Sequence, residues 1–187
     1  MAAKRPASGV KSNIKIAPGA IVCKECEIRG DVTIGSMTVI HPKASIIAED
    51  GPIIIGESNI IEEQVRIVNR LPAELKDGQR PSPVMIIGAN NVFEVDCYCE
   101  ALKIGDYNNL EPKSYVGREV ELSNGCIVGA KCKLTKGQVL KENTVIYGSN
   151  SIQRVQADRP PSLTSQLDFL IRIIPNYHHL IKSVKKT

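Results

Sequence analysis

The sequence predicts an all-β fold in which a single chain winds into a parallel β-helix of about seven coils, with a C-terminal α-helix packed along it. Three observations predict this fold class. Aliphatic residues recur at every sixth position, small residues often lie four positions after them, and glycines often follow them directly. Hydrophobic residues make up 42% of the 187 residues but include only two Phe and no Trp. The core must therefore consist of thin aliphatic layers, which suit a stack of short strands.

The six-residue repeat starts at Ile16 and can be followed to Ile146 with three interruptions. A helix repeats its buried face every 3.6 residues and a strand every second residue, so neither element alone explains this period. Three six-residue segments close one triangular coil, and about seven coils at a spacing of about 4.8 Å give a prism roughly 30 Å long. The repeat positions are Ile16, Val22, Ile28, Ile34, Ile40, Ile46, Ile55, Ile61, Ile67, Ile87, Phe93, Cys99, Ile104, Leu110, Val116, Leu122, Val128, Leu134, Leu140 and Ile146.

The interruptions of the repeat show where the chain leaves the coil. The longest separates Ile67 from Ile87, where residues 69–83 form a polar segment rich in Pro, which is typical of an excursion loop. The expected organisation is a flexible N-terminus at 1–13, a β-helix at 14–152 with its loop at 69–83, and a linker and C-terminal helix at 153–187.

The C-terminal segment changes its periodicity from six residues to the helical period. The apolar positions at helical spacing are Leu163, Leu167, Leu170, Ile171 and Ile174. We expect this helix to pack on one face of the prism. The alternative is that part of its apolar face, with Phe169 and Tyr177, contacts another protein.

Charge and composition exclude several classes of function. The net charge of +4 comes from scattered basic residues, apart from a few lysines near the C-terminus, so a nucleic-acid groove is not expected. The N-terminal residues are mostly polar and contain no apolar stretch of the kind that a secretory signal requires. No apolar run approaches the length that spans a membrane. The sequence therefore predicts a cytoplasmic protein.

Cysteines and histidines give no catalytic, cofactor or metal site. Without a secretory signal, disulfides among the six cysteines are disfavoured. The repeat register points Cys23 outward and Cys26 inward, so this pair cannot share a metal ion. It places the other four thiols at inward sites, where they pack as small hydrophobic groups. These four are Cys97, Cys99, Cys126 and Cys132.

The three histidines are also poorly placed for a metal or catalytic site. His178 and His179 are adjacent and diverge on a helix, and His41 is expected at the surface.

Three segments, "IRGDV" at 28–32, "IIIG" at 53–56 and "IIGANN…KIG" at 86–105, resemble the γ-class carbonic anhydrases. The resemblance implies zinc held by three histidines across a trimer interface. Laid on that pattern, the ligand positions fall at Val68, Val95 and Glu100, and none is a histidine. Arg29 and Asp31 match a pair that supports subunit contacts in that family. The scaffold thus resembles the enzyme without its metal ligands.

The related hexapeptide acyltransferases need a general-base histidine between subunits, and only His41 is eligible. An enzyme of either kind stays open as the alternative function.

A more extensive resemblance covers nearly the whole chain. "EIRGDVTIG", "TVIHPKA", "IIGANNVFEV", "ENTVIYG" and the tail "QLDFLIRIIPNYHHL" are similar to the dynactin subunit 6 family. The hexapeptide pattern itself resembles the left-handed β-helix family, which implies left-handed winding of the coil. The similarity to the dynactin subunit 6 family implies a non-catalytic scaffold role in dynactin, the activator that couples dynein to cargo on microtubules. It also implies no cofactor. Vertebrate members of the family carry a phosphorylated C-terminal Thr-Pro that docks a mitotic kinase of the Polo type. This chain ends Lys185-Lys186-Thr187 without a Thr-Pro, so that site is not expected here.

The same resemblance implies the partners and their location. These are dynactin subunit 5, a sibling β-helix, together with the pointed-end actin-related protein and dynactin subunit 4. The implied location is the cytoplasm and cytoskeleton, with a further role at the kinetochore in mitosis. The surface around Arg29 and Asp31, the 69–83 loop, and Phe169 and Tyr177 on the helix are the expected partner contacts.

Overall fold

The structure, a computed structural model, describes residues 12–75, 83–158 and 164–181. Over these residues the chain winds into a left-handed parallel β-helix of seven coils, as the sequence predicts. Three sheets form the three walls of the prism, and each of the first six coils contributes one short strand to each wall. The seventh coil contributes a strand to the first and second walls. One α-helix, α1 (Thr164–Tyr177), and a 3₁₀ turn at Ala73–Leu75 complete the described elements.

Strands three apart along the chain are hydrogen-bonded neighbours within one sheet. The first sheet contains β1 (Asn13–Ile16), β4 (Asp31–Ile34), β7 (Ile53–Ile55), β10 (Met85–Ile87), β13 (Lys103–Ile104), β16 (Val120–Leu122) and β19 (Gln138–Leu140). The second contains β2 (Ile21–Val22), β5 (Val39–Ile40), β8 (Ile60–Ile61), β11 (Val92–Phe93), β14 (Asn109–Leu110), β17 (Ile127–Val128), β20 (Thr144–Tyr147) and β21 (Ile152–Val155). The third contains β3 (Glu27–Arg29), β6 (Ser45–Ala48), β9 (Arg66–Asn69), β12 (Tyr98–Cys99), β15 (Tyr115–Val116) and β18 (Lys133–Leu134).

Each position of the six-residue repeat contributes an inward side chain to one strand. Ile34 is paired with Ile55 and Ile55 with Ile87, so equivalent residues of successive coils stack directly above one another. These residues are almost completely buried and form one continuous core along the prism axis. Burying such an aliphatic side chain contributes about 1.5–3 kcal/mol, which explains why the repeat dominates the sequence.

Many corners of the coil adopt a left-handed backbone conformation. In twelve turns, the third residue after the inward residue has a positive φ, and ten of these residues are not glycine. The positions are Gly19, Met37, Lys43, Ser58, Gln64, Asn90, Asp96, Tyr107, Lys113, Gly125, Lys131 and Asn143. A non-glycine residue in this conformation costs about 1–2 kcal/mol, so the stacked core must offset a recurring strain.

A buried polar column runs parallel to the aliphatic core at one corner. Asn59, Asn91 and Asn108 each lie four residues after an inward isoleucine and are at most 1% exposed. Each side-chain oxygen accepts a hydrogen bond from the backbone of the next coil: Asn91 N donates to Asn59 Oδ1, Asn108 N to Asn91 Oδ1, and Cys126 N to Asn108 Oδ1, at 2.8–2.9 Å. The column satisfies backbone donors that the turn leaves without a strand partner.

The second sheet is closed at both ends by antiparallel segments. At the C-terminal end, β21 pairs antiparallel with β20, whereas a linker was expected from residue 153. At the other end, Leu180 bridges Cys23, with Lys24 N donating to His179 O at 2.7 Å and Ile181 N to Val22 O at 2.8 Å. An antiparallel segment can cover a strand edge without continuing the coil, so both ends of this sheet are capped.

Helix α1 packs on the outer face of the second sheet, as the sequence predicts. Leu167 and Ile174 are 6% and 5% exposed. They lie in an apolar cluster with outward residues of the first four coils, namely Ile21, Val39, Ile60 and Val92. The side chain immediately before each inward residue is apolar in these coils, which gives the helix a continuous strip to cover.

Candidate partner-binding face

The outer face of the third sheet carries two columns of outward side chains. Because successive side chains of a strand point to opposite faces, the residues before and after each inward residue lie outside. The first column contains Glu27, Ser45, Arg66, Tyr98, Tyr115 and Lys133, and the second contains Arg29, Ile47, Val68, Glu100 and Gly117. This wall is thus polar and aromatic, unlike the apolar strip beneath α1.

An aromatic stack occupies the middle of the first column. The rings of Tyr98 and Tyr115 are 5.2 Å apart and almost parallel, and the Arg66 guanidinium lies 5.6 Å from the Tyr98 ring centroid. The Tyr98 hydroxyl donates to Glu100 Oε1 at 2.7 Å. Burial, together with the neighbouring Glu100 carboxylate, raises the pKa of Tyr98 to about 12. The phenol therefore remains a hydrogen-bond donor across the physiological pH range.

The start of the excursion loop is fixed against this wall. Arg70 Nη2 donates to Glu100 Oε1 at 3.0 Å, and Arg118 Nη1 donates to the Arg70 carbonyl oxygen at 2.7 Å. Buried Asn69 donates from Nδ2 to the carbonyl oxygens of Pro52 and Pro83, at 3.1 and 2.7 Å. The described part of the predicted loop at 69–83 is therefore anchored at both ends.

The two columns and the loop enclose a groove of about 300 Å³, which we call the arginine groove. Its lining residues are Glu27, Arg29, Ile47, Glu49, Arg66, Val68, Arg70 and Tyr98. Val68 and Ile47 form an apolar floor, and the charged side chains form the rim. Arginine and tyrosine are enriched where proteins bind proteins, so this composition favours a docking surface.

The structure places the predicted contact residues on separate walls. Arg29 lies on the third sheet and forms an ion pair with Glu27, whereas Asp31 follows the corner at Gly30, lies on the first sheet and accepts from Asn13 Nδ2 at 3.3 Å. Arg29 lines the groove, and Asp31 does not.

Phe169 and Tyr177 are 57% and 77% exposed on α1, which covers the second sheet. The predicted residues thus mark more than one surface.

Sequence reasoning missed Arg66, Tyr98 and Tyr115. A signal for them was present, because each immediately precedes an inward residue of the same wall. Recognising the column requires knowing which coils are neighbours across the excursion loop, and the sequence repeat alone does not fix this.

The residues at the carbonic anhydrase ligand positions do not fit a zinc site. Val68 is 4% exposed at the floor of the groove, and Val95 is 36% exposed. Neither valine has a donor atom for a metal. Glu100 already accepts hydrogen bonds from Tyr98 and Arg70. Within residues 12–75, 83–158 and 164–181, no three His, Cys, Asp or Glu side chains are arranged to hold a metal ion.

His41, the only histidine eligible as a catalytic base, is not the surface residue that the sequence predicts. Its side chain is 13% exposed, and Nδ1 lies 3.0 Å from Glu63 Oε1. It follows β5 of the second sheet, away from the lining of the arginine groove. The ring is thus hydrogen-bonded to Glu63 and does not face an open cleft.

The cysteines lie where the repeat register predicts. The inward thiols of Cys97 and Cys99 are buried in the aliphatic core. The outward Cys23 is buried in the apolar cluster beneath α1. Burial, followed by the charge of Glu25, raises the pKa of Cys23 to about 12, and burial also raises the pKa of Cys97. These thiols stay protonated, so they are poor nucleophiles.

No helix in the described part of the chain is long and apolar enough to cross a bilayer.

Comparison with known proteins gives strong sequence relatives. The chain is 60% identical over 183 residues to dynactin subunit 6 of Danio rerio, covering 96% of this chain and 93% of the relative. It is 59% identical over 174 residues to dynactin subunit 6 of Xenopus tropicalis, covering 92% and 87%. A carbonic anhydrase of Methanosarcina thermophila is 26% identical over 125 residues, covering 66% of this chain and 47% of the enzyme. No family model matches the chain.

Among solved structures, a hexapeptide transferase family protein from Anaplasma phagocytophilum superposes with a TM-score of 0.70. The superposition covers 89% of this chain and 93% of that one, at 16% sequence identity. At this identity the likeness shows the shared fold alone.

Proposed function

The chain belongs to the dynactin subunit 6 family, and we propose that it acts as a non-catalytic structural subunit of dynactin at the pointed end of that complex. The observation that carries the proposal is an identity of 60% that extends over 96% of the chain. The similarity therefore covers nearly the whole chain and not only the repeat.

The site supports a scaffold role rather than chemistry. The ligand positions of the related enzymes hold Val68, Val95 and a Glu100 engaged by its neighbours. The buried cysteines have raised pKa values. A prism with three rigid walls instead offers partners a fixed surface, because its stacked coils deform little.

The proposed partners are dynactin subunit 5, a second left-handed β-helix, the pointed-end actin-related protein and dynactin subunit 4. In this proposal the complex acts with dynein in cargo transport in the cytoplasm, on the cytoskeleton and at the kinetochore in mitosis. Arg29, Asp31, Phe169 and Tyr177 are proposed contact residues. All four are exposed, and exposed aromatic side chains are common anchors of protein interfaces.

The test is recovery of the tagged full-length chain from cytosol, with gel filtration and mass spectrometry of the associated proteins. We expect a particle of megadalton scale that contains a second hexapeptide protein and actin-related subunits. Recovery only as a small homo-oligomer would contradict the proposal.

A variant pair locates the contact on the helix. Phe169→Arg changes a side chain that is 57% exposed and should reduce recovery of one partner without changing the melting temperature. Asp168→Arg introduces the same side chain at the neighbouring exposed position, outside the proposed aromatic contact, and serves as the control.

The alternative function is an enzyme of the carbonic anhydrase or acyltransferase type, favoured by the distant similarity to a carbonic anhydrase. It predicts stoichiometric bound zinc with CO₂ hydration, or acyl transfer that depends on His41. Metal analysis and activity assays on the recovered particle would separate it from the scaffold function.

A further inference from the structure

We propose that the arginine groove binds a segment of a protein partner that carries a single Asp or Glu, with the carboxylate on Arg66 and a neighbouring aliphatic side chain on Ile47 and Val68. The inference rests on the proposed scaffold function and gives the chemistry of one docked partner.

The charge at Arg66 is the first reason. Arg29 forms an ion pair with Glu27, and Arg70 forms one with Glu100 at 3.0 Å. Arg66 is exposed and lies over the Tyr98 ring, and no carboxylate in the described ranges forms a salt bridge with it. Its guanidinium can therefore form a bidentate pair with an incoming carboxylate.

The second reason is that this guanidinium is already positioned. Tyr98 is held by stacking on Tyr115 at 5.2 Å and by its hydrogen bond to Glu100 at 2.7 Å. The ring in turn limits the positions that Arg66 can take. Less side-chain entropy is lost when such an arginine binds a partner, and this loss is a principal cost of association.

The floor of the groove gives the third reason. Val68 is 4% exposed and Ile47 is half-buried, and both lie in the column beside Arg66. An aliphatic side chain that follows or precedes the carboxylate would be removed from water here. Burial of one such side chain adds affinity that a free carboxylate would not obtain.

The rim of the groove disfavours ligands that carry several negative charges close together. Glu27 and Glu49 line the same groove, so a polyphosphate or nucleic acid would bring its charges against two carboxylates. A single carboxylate next to neutral or basic residues meets Arg66 without this repulsion. The arrangement therefore selects a segment of a protein with one acidic side chain at its centre.

Photo-crosslinking tests the inference in the intact complex. A photo-reactive amino acid replaces Ile47 in the tagged full-length chain, and a second variant carries it at Thr33 on the first sheet as the control. Crosslinked peptides are identified by mass spectrometry after recovery of the particle from cytosol. We expect position 47 to crosslink a segment that contains Asp or Glu and position 33 not to crosslink that segment.

Reversing the charge at Arg66 tests the proposed carboxylate contact directly. Arg66→Glu should reduce the crosslink at position 47 by at least about tenfold, whereas Arg66→Lys should retain most of it. Replacing the crosslinked acidic residue of the partner with Lys should restore the crosslink to the Arg66→Glu chain. A crosslinked segment without an acidic residue, or a yield unchanged by Arg66→Glu, would overturn the inference.

The same samples distinguish the two possible failures. If the wild-type chain enters the large particle but position 47 gives no crosslink, the groove assignment is wrong and the scaffold function stands. If the wild-type chain enters no such particle, the scaffold function fails and the groove assignment fails with it. Equal melting temperatures of the Arg66 variants show that the changes act on binding rather than on folding.

Discussion

The side-chain oxygen of Asn59 accepts a hydrogen bond of 2.9 Å from the backbone N–H of Asn91, one coil further along the prism. Asn91 repeats the relationship with Asn108, from which its Oδ1 accepts both the backbone N–H at 2.8 Å and the side-chain Nδ2 at 3.0 Å. A hydrogen-bonded ladder thus joins successive coils inside an otherwise aliphatic protein. Its loss should be costly because water cannot replace the missing acceptor.

Asn91→Ala should destabilise the fold by about 2–4 kcal/mol, since it leaves the buried Asn108 donors without their acceptor. Urea unfolding should show a lower midpoint with an unchanged slope. Asn109→Ala, at a half-buried outward position, is the matched control and should cost less than about 1 kcal/mol. Equal midpoints for the two variants would contradict a structural role of the ladder.

Gly30→Ala should destabilise the chain severely. A Cβ at this residue would lie 2.0 Å from the Ala48 carbonyl oxygen, and φ is +81°. Gly148 shares the left-handed conformation, with φ of +73°, but a Cβ there meets nothing within 4 Å. Gly148→Ala should therefore cost only about 1 kcal/mol, the backbone strain alone. Comparison of the two melting temperatures separates the steric clash from this strain.

Gln64→Asn should stabilise the protein, because Gln64 holds a φ of +63° at an exposed corner and asparagine adopts this conformation more readily. The expected gain is below about 1 kcal/mol, which corresponds to a rise in melting temperature of about 1–3 °C. Gln64→Ala should give no comparable gain, and Gln64→Val should lower the melting temperature. A result in the opposite order would show that these corners are not strained.

Cys23 should report whether helix α1 is docked. It is fully buried, and its raised pKa of about 12, compared with an ordinary 9.0, leaves almost no thiolate at pH 8. Leu167→Asp should undock the helix and make Cys23 reactive to iodoacetamide, while Phe169→Asp on the exposed face should not. Peptide mapping should find Cys99, inside the prism, unmodified in both variants. Labelling of Cys99 would instead indicate global unfolding.

We expect the phenol of Tyr98 to ionise only at strongly alkaline pH. Its folded pKa of about 12 exceeds its ordinary value of 10.0, chiefly because of burial and then the hydrogen bond to Glu100. The folded chain therefore binds more protons between these values. Its stabilising contribution is present below pH 10 and is lost as the pH rises through 12.

Absorbance at 295 nm should show a tyrosine phase near pH 12 that is missing in Tyr98→Phe. Glu100→Gln removes the carboxylate acceptor and should shift this phase to lower pH. A Tyr98→Phe titration identical to that of the wild type would contradict the assignment.

Much of the fold could be predicted from the sequence because the inward residues are chemically uniform. Ile34, Ile55 and Ile87 follow one rule, and an aliphatic side chain at every sixth position fixes the coil. The buried asparagines could not be predicted in this way, since asparagine usually lies at the surface. Their burial depends on a backbone donor of the next coil, which becomes visible only in three dimensions.

The candidate site was harder to predict than the fold for a related reason. Arg66 and Tyr98 are neighbours across the excursion loop, 32 positions apart in the chain. Their contact depends on how the loop returns the chain to the coil. β21 illustrates the same limit, because no repeat signal indicates that Ile152–Val155 turns back on β20.

The docking of the chain's last described segment onto its first coil has a consequence for biosynthesis. The strip of Ile21, Val39, Ile60 and Val92 leaves the ribosome early, but α1 and Leu180, which cover it, follow only after the whole β-helix. Until they emerge, the nascent coils present an apolar strip and an open strand edge, features that favour aggregation. The native state is therefore complete only after this covering segment has been synthesised. A chain released by a ribosome that stalls before it would expose the apolar strip, which is a feature that cellular quality control can recognise.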